Sequence, residues 1–206
     1  MIRFLFSTFC LLLLGTTAPA AVVYSGLQNV SIPFGSGEVY VNVFTNASTN
    51  SYPGDYETAP WIVAFFGGSG IGTGPLIRTV VTGSVVAGGE QTANLAQGTV
   101  VNALSRFSIG DSGFNGSETH TGPAINQFQL GTQGYIGYEF EPTVGGPSYF
   151  GVMRITVDNL GGATIHDWYY ENTPGVAIAV PEPSRVFLIL IGCIGFCMRR
   201  KRPVTH

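Results

Sequence analysis

The sequence predicts an all-β protein, an antiparallel β-sandwich of the jelly-roll kind with an N-terminal signal peptide and a C-terminal transmembrane-type helix. Several short segments alternate apolar and polar residues with the period of a half-buried strand. Turn signals separate them, since the chain has 29 glycines and 12 prolines. No segment keeps the 3.6-residue apolar spacing of a long helix. Many short strands joined by turns are typical of sandwiches and jelly rolls.

The predicted strands follow from these patterns in chain order. Four segments alternate with period two, namely residues 38–44, 135–141, 149–158 and 164–171. In the second of them, Ile136, Tyr138 and Phe140 are expected to face the core. Residues 61–66 form a continuous apolar run, which predicts a central strand. Residues 91–104 are compatible with a short helix.

Charge and cysteine content limit the classes of partner. Charged residues make up only 10% of the chain. Residues 21–180 contain eleven acidic residues and three basic ones, a net charge of -8, so this region repels phosphate backbones and no nucleic-acid partner is expected. All three cysteines, Cys10, Cys193 and Cys197, fall in the apolar ends, which predicts a domain without disulfides.

Residues 1–20 have the three parts of a secretory signal peptide. Arg3 supplies a positive charge, residues 4–14 are apolar, and Ala18 and Ala20 fit a small-x-small cleavage site. As a helix, this run would cover about 16 Å, too short for the ~30 Å hydrocarbon core of a bilayer. We therefore expect cleavage after Ala20 and export of the chain.

The C-terminal segment, residues 180–206, also has three parts. It contains an apolar run at residues 186–198, preceded by Pro181, Glu182, Pro183 and Ser184 and followed by Arg199, Arg200, Lys201 and Arg202. Each proline fixes φ and disfavours helix in the residue before it, so the motif is expected to be extended, as a protease cleft requires. As a helix, the run would cover about 20 Å, a marginal anchor, and the basic cluster would stay on the cytoplasmic side.

This end closely resembles the PEP-CTERM sorting domain of bacterial exported proteins. The resemblance covers about 26 of the 206 residues and departs from the family pattern only in the four-residue tail after the basic cluster. In that family, exosortase, a membrane transpeptidase-like enzyme, is thought to recognise the signal and to act near the Pro-Glu-Pro motif. Members commonly occur in Gram-negative bacteria that make exopolysaccharide. The resemblance implies that this chain is an exosortase substrate, anchored in the membrane before processing and located at the cell surface or outside the cell afterwards.

Loop motifs in the middle of the chain do not complete any known site. Residues 67–72 are glycine-rich but lack the glycine of a nucleophile elbow and the lysine of a P-loop, so a flexible loop is expected. Residues 111–122 begin like a calcium loop, but Gly122 stands where the last ligand should be glutamate. A weaker calcium site at Asp111 stays open as an alternative. Otherwise the sequence predicts no cofactor, no metal and no catalytic residue.

Histidines and aromatic residues define the alternatives. His120 is expected in a solvated loop, while His166 and Asp167 are adjacent on a strand and are expected to point to opposite faces. Trp168 and Tyr170 would form a platform for sugars if they were exposed on a concave sheet face, although core packing is the commoner fate of such rings.

The sequence thus predicts a signal peptide at residues 1–20, an extracellular β domain at 21–179 and a sorting signal at 180–206. The functional hypothesis is a non-catalytic surface or extracellular-matrix protein, sorted by exosortase. Two alternatives stay open: a carbohydrate-binding adhesin associated with exopolysaccharide, and a secreted hydrolase.

Overall fold

The computed structural model describes residues 21–33, 38–65, 70–82, 91–108, 128–158 and 162–182. In these ranges all regular structure is β-strand, and every strand pair is antiparallel. The prediction of an all-β, antiparallel chain is confirmed for this part. No helix in the described ranges is long and apolar enough to cross a membrane. The signal peptide at 1–20 and the apolar run at 186–198 lie outside the described residues.

Fourteen strands are present in the described part of the chain, and three consecutive ones near its end are much longer than the rest. In chain order they are β1 (Val22–Tyr24), β2 (Val30–Ile32), β3 (Val39–Asn42), β4 (Ser48–Thr49), β5 (Trp61–Phe65), β6 (Gly70–Thr73), β7 (Ile77–Thr79), β8 (Val81–Thr82), β9 (Gln91–Thr92), β10 (Val100–Val101), β11 (Gln133–Phe140), β12 (Tyr149–Val157), β13 (Ala163–Glu171) and β14 (Ile178–Ala179).

The three long strands form the centre of a six-stranded sheet. β12 lies between β11 and β13, and β7 extends the sheet beyond β11. On the other edge, β1 and β2 pair with successive parts of β13. The predicted strands at 135–141, 149–158 and 164–171 correspond to β11, β12 and β13 and end within two residues of them.

A four-stranded sheet has the order β4-β3-β5-β6. The predicted strand at 38–44 contains β3, and the apolar run at 61–66 contains β5, which has a neighbour on both sides as predicted. Ile62 and Ala64 of β5 are fully buried and face the six-stranded sheet, because they belong to the same core cluster as its side chains. Trp61 and Val63 lie on the opposite side with Tyr40.

The two larger sheets share one apolar core. Their contributions include Ile136, Tyr138, Phe140, Met153, Ile155, Ile165, Trp168 and Tyr170 from the six-stranded sheet, and Val39, Val41, Ile62, Ala64 and Ile71 from the four-stranded sheet. The inward orientation predicted for the apolar side chains of β11 is confirmed. Trp168 Nε1 donates a hydrogen bond to the carbonyl oxygen of Val43 (2.9 Å), which ties the two sheets together. Gly151 is required in β12, because a Cβ there would overlap the ring of Tyr138.

The other face of the six-stranded sheet, here called the outer face, carries a second, smaller core. Side chains of Val152 and Tyr169 pack there with Val101, Ile178 and Val180. The last three belong to or adjoin β10 and β14, which pair with each other and lie against β12. The outer face is therefore covered in part by the last segment of the described chain.

Residues 91–104, which the sequence left compatible with a short helix, contain no helix. These residues form β9, β10 and a turn between them in which Gly98 has a φ of 78°. The amide of Ala93 donates to the carbonyl of Val80, and that of Leu95 donates to the carbonyl of Tyr135 (both 2.9 Å). Pairing with neighbouring strands thus replaces the i to i-4 hydrogen bonds that a helix needs.

Candidate functional site

A β-bulge in β13 decides which of its side chains face the core. Arg154 of β12 pairs with Asp167, but the next residue, Ile155, pairs with Ile165, so His166 is an extra residue. The inward and outward alternation shifts by one at this point. Asp167 consequently lies on the outer face, although strict alternation from Ile165 would bury its carboxylate between the sheets.

The bulge also brings His166 and Asp167 to the same face. His166 Nε2 lies 2.9 Å from Thr156 Oγ1, and Asp167 pairs with Arg154, two residues before Thr156 on β12. The prediction that the two adjacent side chains point to opposite faces is therefore wrong. Alternation held only up to the bulge.

Trp168 and Tyr170 point into the shared core. Trp168 is 1% exposed and Tyr170 is 8% exposed, and both pack against residues of the two larger sheets. Phe140 meets the Tyr170 ring edge-on, with 5.1 Å between the ring centroids. The sugar-facing hypothesis for Trp168 and Tyr170 is corrected, because neither ring has a free face on which a sugar could stack.

A polar cluster, here called the outer-face cluster, consists of Tyr24, Gln133, Arg154 and Asp167. The carboxylate of Asp167 is 2% exposed and accepts hydrogen bonds from Arg154 Nε (3.0 Å), Arg154 Nη2 and Tyr24 Oη (2.9 Å). With its amide oxygen turned towards Arg154, Gln133 accepts from Nε at 3.1 Å. Burial and then the hydrogen bond to Asp167 raise the pKa of Tyr24. The cluster stabilises a buried carboxylate by hydrogen bonds and an opposite charge.

His166 makes two side-chain contacts next to this cluster. Its Nε2 faces Thr156 Oγ1, and its Nδ1 lies 3.2 Å from Asn29 Oδ1. Its carbonyl accepts hydrogen bonds from the amides of Gln28 and Asn29, so the contacts join β13 to β12 and to the segment between β1 and β2. Burial and then the positive charge of Arg154 lower the pKa of His166. The three cavities described below are not lined by His166, Thr156 or Asn29.

The chain leaves the fold along the outer face. After a turn in which the Gly175 amide donates to the Ser148 carbonyl (2.9 Å), β14 pairs with β10. Val180 follows with both backbone groups bonded, because its amide donates to the Thr99 carbonyl (2.8 Å) and its carbonyl accepts from the Gly98 amide (3.0 Å). Val180 is 1% exposed. The fold thus extends through Val180, one residue beyond the predicted boundary at 179.

Exposure changes at the next residue. Pro181 and Glu182 are both exposed, and Glu182 lies beside Gly98, where an added Cβ would be 3.3 Å from Glu182 Oε1. The other residues predicted for sorting and cleavage lie outside the described residues: Ala18, Ala20, Pro183, Ser184, Arg199, Arg200, Lys201 and Arg202. His120 and Asp111 also lie outside them.

A cavity at this exit, here called the junction pocket, has a volume of about 310 Å³. It is lined by Val22, Tyr24, Tyr169, Ile178, Ala179 and Pro181. β1 and β14, the first and last strands of the described residues, therefore meet at one pocket. The hydroxyl of Tyr169 is buried without a hydrogen-bond partner in the described part of the chain, and burial raises its pKa.

A second concave region surrounds Arg78. Two cavities of about 310 and 410 Å³ share Pro75 and Arg78, and Tyr56 and Glu57 line the larger one. Arg78 Nη2 lies 2.8 Å from Glu139 Oε2, so its charge is paired. No group of three or more His, Cys, Asp or Glu side chains that could hold a metal ion occurs among the described residues.

The outer-face cluster and the junction pocket were not predicted from the sequence. One signal for the cluster was available, because an arginine is expected to find an acidic partner in a region with eleven acidic and only three basic residues. Two of the three arginines, Arg78 and Arg154, do so. The junction pocket gives no local signal, since its walls come from opposite ends of the domain. The chain matches no known family model, no curated protein and no solved structure.

Proposed function

We propose that this chain is an exported, non-catalytic surface or matrix protein whose C-terminal signal is recognised by an exosortase at Pro181, Glu182, Pro183 and Ser184. The observation that supports the proposal is the change from a buried to an exposed residue between Val180 and Pro181. Val180 is buried and hydrogen-bonded, whereas Pro181 and Glu182 are exposed. A processing enzyme needs an accessible, extended substrate, and the prolines favour that conformation from the first residue of the motif.

The pairing of β14 with β10 limits where processing takes place. An enzyme that binds the backbone of Val180 would first have to break its hydrogen bonds to Gly98 and Thr99. Pro181, the next residue, is exposed and has no backbone N–H to bond. Processing is therefore directed to the segment after Val180, and the folded domain is released whole.

The positions of the two chain ends fit export through one membrane. Val22, two residues after the proposed cleavage site, and Pro181 line the same pocket. The points at which the proposed leader and sorting signal join the domain thus lie side by side, as attachment to one bilayer would require. Arg3 and the basic cluster at 199–202 would both stay on the cytoplasmic side, with the β domain outside.

We further propose that the domain is a β-sandwich of the jelly-roll kind that acts as a structural component of the surface or matrix. The apolar core shared by the four-stranded and six-stranded sheets supports this arrangement. Sorting delivers the domain to the cell surface or matrix.

The test compares processing of three full-length chains in the native host by intact-mass analysis. The wild type is expected to end between Val180 and Arg185. The variant with Pro181, Glu182 and Pro183 changed to alanine is expected to keep the C-terminal residues that the wild type loses. Pro147→Ala, a change at another exposed proline, is the control and should be processed like the wild type. An intact C-terminus in the wild type, or equal processing of the wild type and the triple variant, would refute sorting through the motif.

One observation favours a second function, binding of exopolysaccharide. The Tyr52 side chain is 62% exposed, its ring centroid lies 5.0 Å from that of Tyr56, and its hydroxyl donates to Glu57 Oε1 (3.2 Å). An exposed ring beside a carboxylate provides a stacking face and a hydrogen-bond acceptor for a sugar. Tyr52→Ala should lower retention of the protein in gels that contain the host polysaccharide. Phe44→Ala, at an exposed ring on the opposite side of β3, should not, and equal retention of the wild type and Tyr52→Ala would reject this function.

A further inference from the structure

We infer that the apolar surface around the junction pocket docks onto the lipid bilayer from which the domain is suspended before processing. This surface, the junction patch, consists of Val22, Tyr24, Val100, Ala179 and Pro181. The inference rests on the proposed function, because it requires the apolar run at 186–198 to be inserted in that bilayer.

The members of the junction patch adjoin one another. Val22, Tyr24, Ala179 and Pro181 line the junction pocket, and Val100 pairs directly with Ala179 between β10 and β14. Val22 is 57% exposed, Tyr24 is 55% exposed and Val100 is 49% exposed, so large apolar areas face outward. No charged side chain lines the pocket. The domain therefore presents an apolar surface at the place where its chain leaves the fold.

The length of the connecting chain brings this surface to the membrane. Only three residues separate Glu182 from Val186, the first residue of the apolar run. Four residue steps span at most about 14 Å when fully extended. The headgroup region adds roughly 5–8 Å on each side of the hydrocarbon core. With Val186 at the hydrocarbon boundary, Pro181 lies five residue steps away, at most about 18 Å, so the junction patch is within reach of the headgroups.

Lipid fits this surface better than a second copy of the chain does. Tyrosine and aliphatic side chains are favoured at the boundary between headgroups and acyl chains. Two copies would each bring a domain of net charge -8, and they would repel each other. A stable dimer also buries about 800 Å² per partner, more than five partly exposed side chains offer.

The test uses the chain before C-terminal processing, residues 21–206, reconstituted in phosphatidylcholine vesicles that contain lipids brominated in the upper part of the acyl chain. In a background of Cys193→Ser and Cys197→Ser, a fluorophore is attached through Val100→Cys. The matched control carries it through Tyr52→Cys, which is similarly exposed but lies on the far side of the four-stranded sheet. We expect strong quenching at position 100 and little at position 52. Adding Val22→Ser should lower the ratio of docked to undocked domain about fivefold, because a half-exposed valine no longer contributes apolar burial.

Flotation of the same vesicles separates failure of docking from failure of anchoring. Equal quenching at positions 100 and 52 in a chain that floats would overturn docking and leave the anchor intact. A chain that does not float would overturn both. Quenching at position 100 that disappears when vesicles carry single chains would show that a second copy covers the patch, and it would also overturn the inference.

Discussion

The inner and outer faces of the six-stranded sheet are covered in different ways. The inner face packs against a complete four-stranded sheet, and its side chains form a continuous apolar core. Among the described residues, the outer face packs against β10, β14 and side chains such as Leu95 and Phe107, and it also holds the ion pair of Arg154 and Asp167. β14, which packs on the outer face, is also the last strand before Pro181. The inner face therefore provides most of the buried apolar core, while the outer face carries the strand pair at which the described fold ends.

The largest effect is expected on the inner face. Trp168→Ala removes the largest buried side chain and its hydrogen bond to the Val43 carbonyl. We expect a loss of about 3–5 kcal/mol in the free energy of unfolding, as for other large aromatic truncations in cores. Urea denaturation measures the loss, with Tyr52→Ala as a control at an exposed ring. A cost below about 1 kcal/mol, typical of surface positions, would contradict the shared core.

The ion pair on the outer face should give the next largest effect. Arg154→Met leaves the carboxylate of Asp167, which is 2% exposed, without its opposite charge. We expect a loss of about 2 kcal/mol, less than for a fully buried pair, because the Arg154 side chain is 30% exposed. The same denaturation experiment on Arg154→Met combined with Asp167→Asn should recover part of the loss. Additive costs of the two changes would show that the residues do not stabilise each other.

A smaller and more local effect is expected where β14 covers the outer face. Val180→Ala removes apolar contacts of the second core and should cost about 1–2 kcal/mol. Because β14 is only two residues long, we expect it to detach before the rest of the domain unfolds. Limited proteolysis should then cut the variant near residues 176–182 faster than the wild type. The exposed neighbouring change Ala179→Ser is the control, and equal cleavage rates in all three chains would argue against a docked β14.

The smallest effect is expected from the titration of His166, next to the ion pair. Its pKa is lowered by burial and then by Arg154, whereas in the unfolded chain a histidine titrates near ~6.5. As the pH falls through that value, the unfolded state takes up a proton before the folded state does, so stability decreases. The melting temperature of the wild type should therefore fall more between about pH 7.5 and 5.5 than that of His166→Gln. Parallel decreases in both proteins would exclude this contribution.

The fold class and the long strands could be predicted because period-two alternation is a local property. Ile136, Tyr138 and Phe140 illustrate this, since all three face the core as expected. The bulge at His166 could not be predicted, because it depends on pairing with β12 and on the cost of burying Asp167. Apolar spacing alone could not distinguish the strands in residues 91–104 from a short helix, since their partners lie elsewhere in the chain.

The candidate site was predicted only in its position along the sequence. The restriction that proline places on the backbone predicts an extended motif at 181–184. The difference in burial between Val180 and Pro181 depends instead on the hydrogen bonds of Val180 to Gly98 and Thr99, which no local pattern predicts. Core packing, the commoner fate expected for Trp168 and Tyr170, is what the structure has, because the bulge turns both rings inward.

The most direct test of the central claim, that the fold ends at Val180 and presents the signal from Pro181, is the identity of the last residue of the mature protein. Top-down mass spectrometry of the protein released by its native host would determine it. We predict a chain that begins at Ala21 and ends between Val180 and Arg185, with its domain intact. A C-terminus before Val180, within hydrogen-bonded β14, or a chain that still ends at His206, would contradict the account.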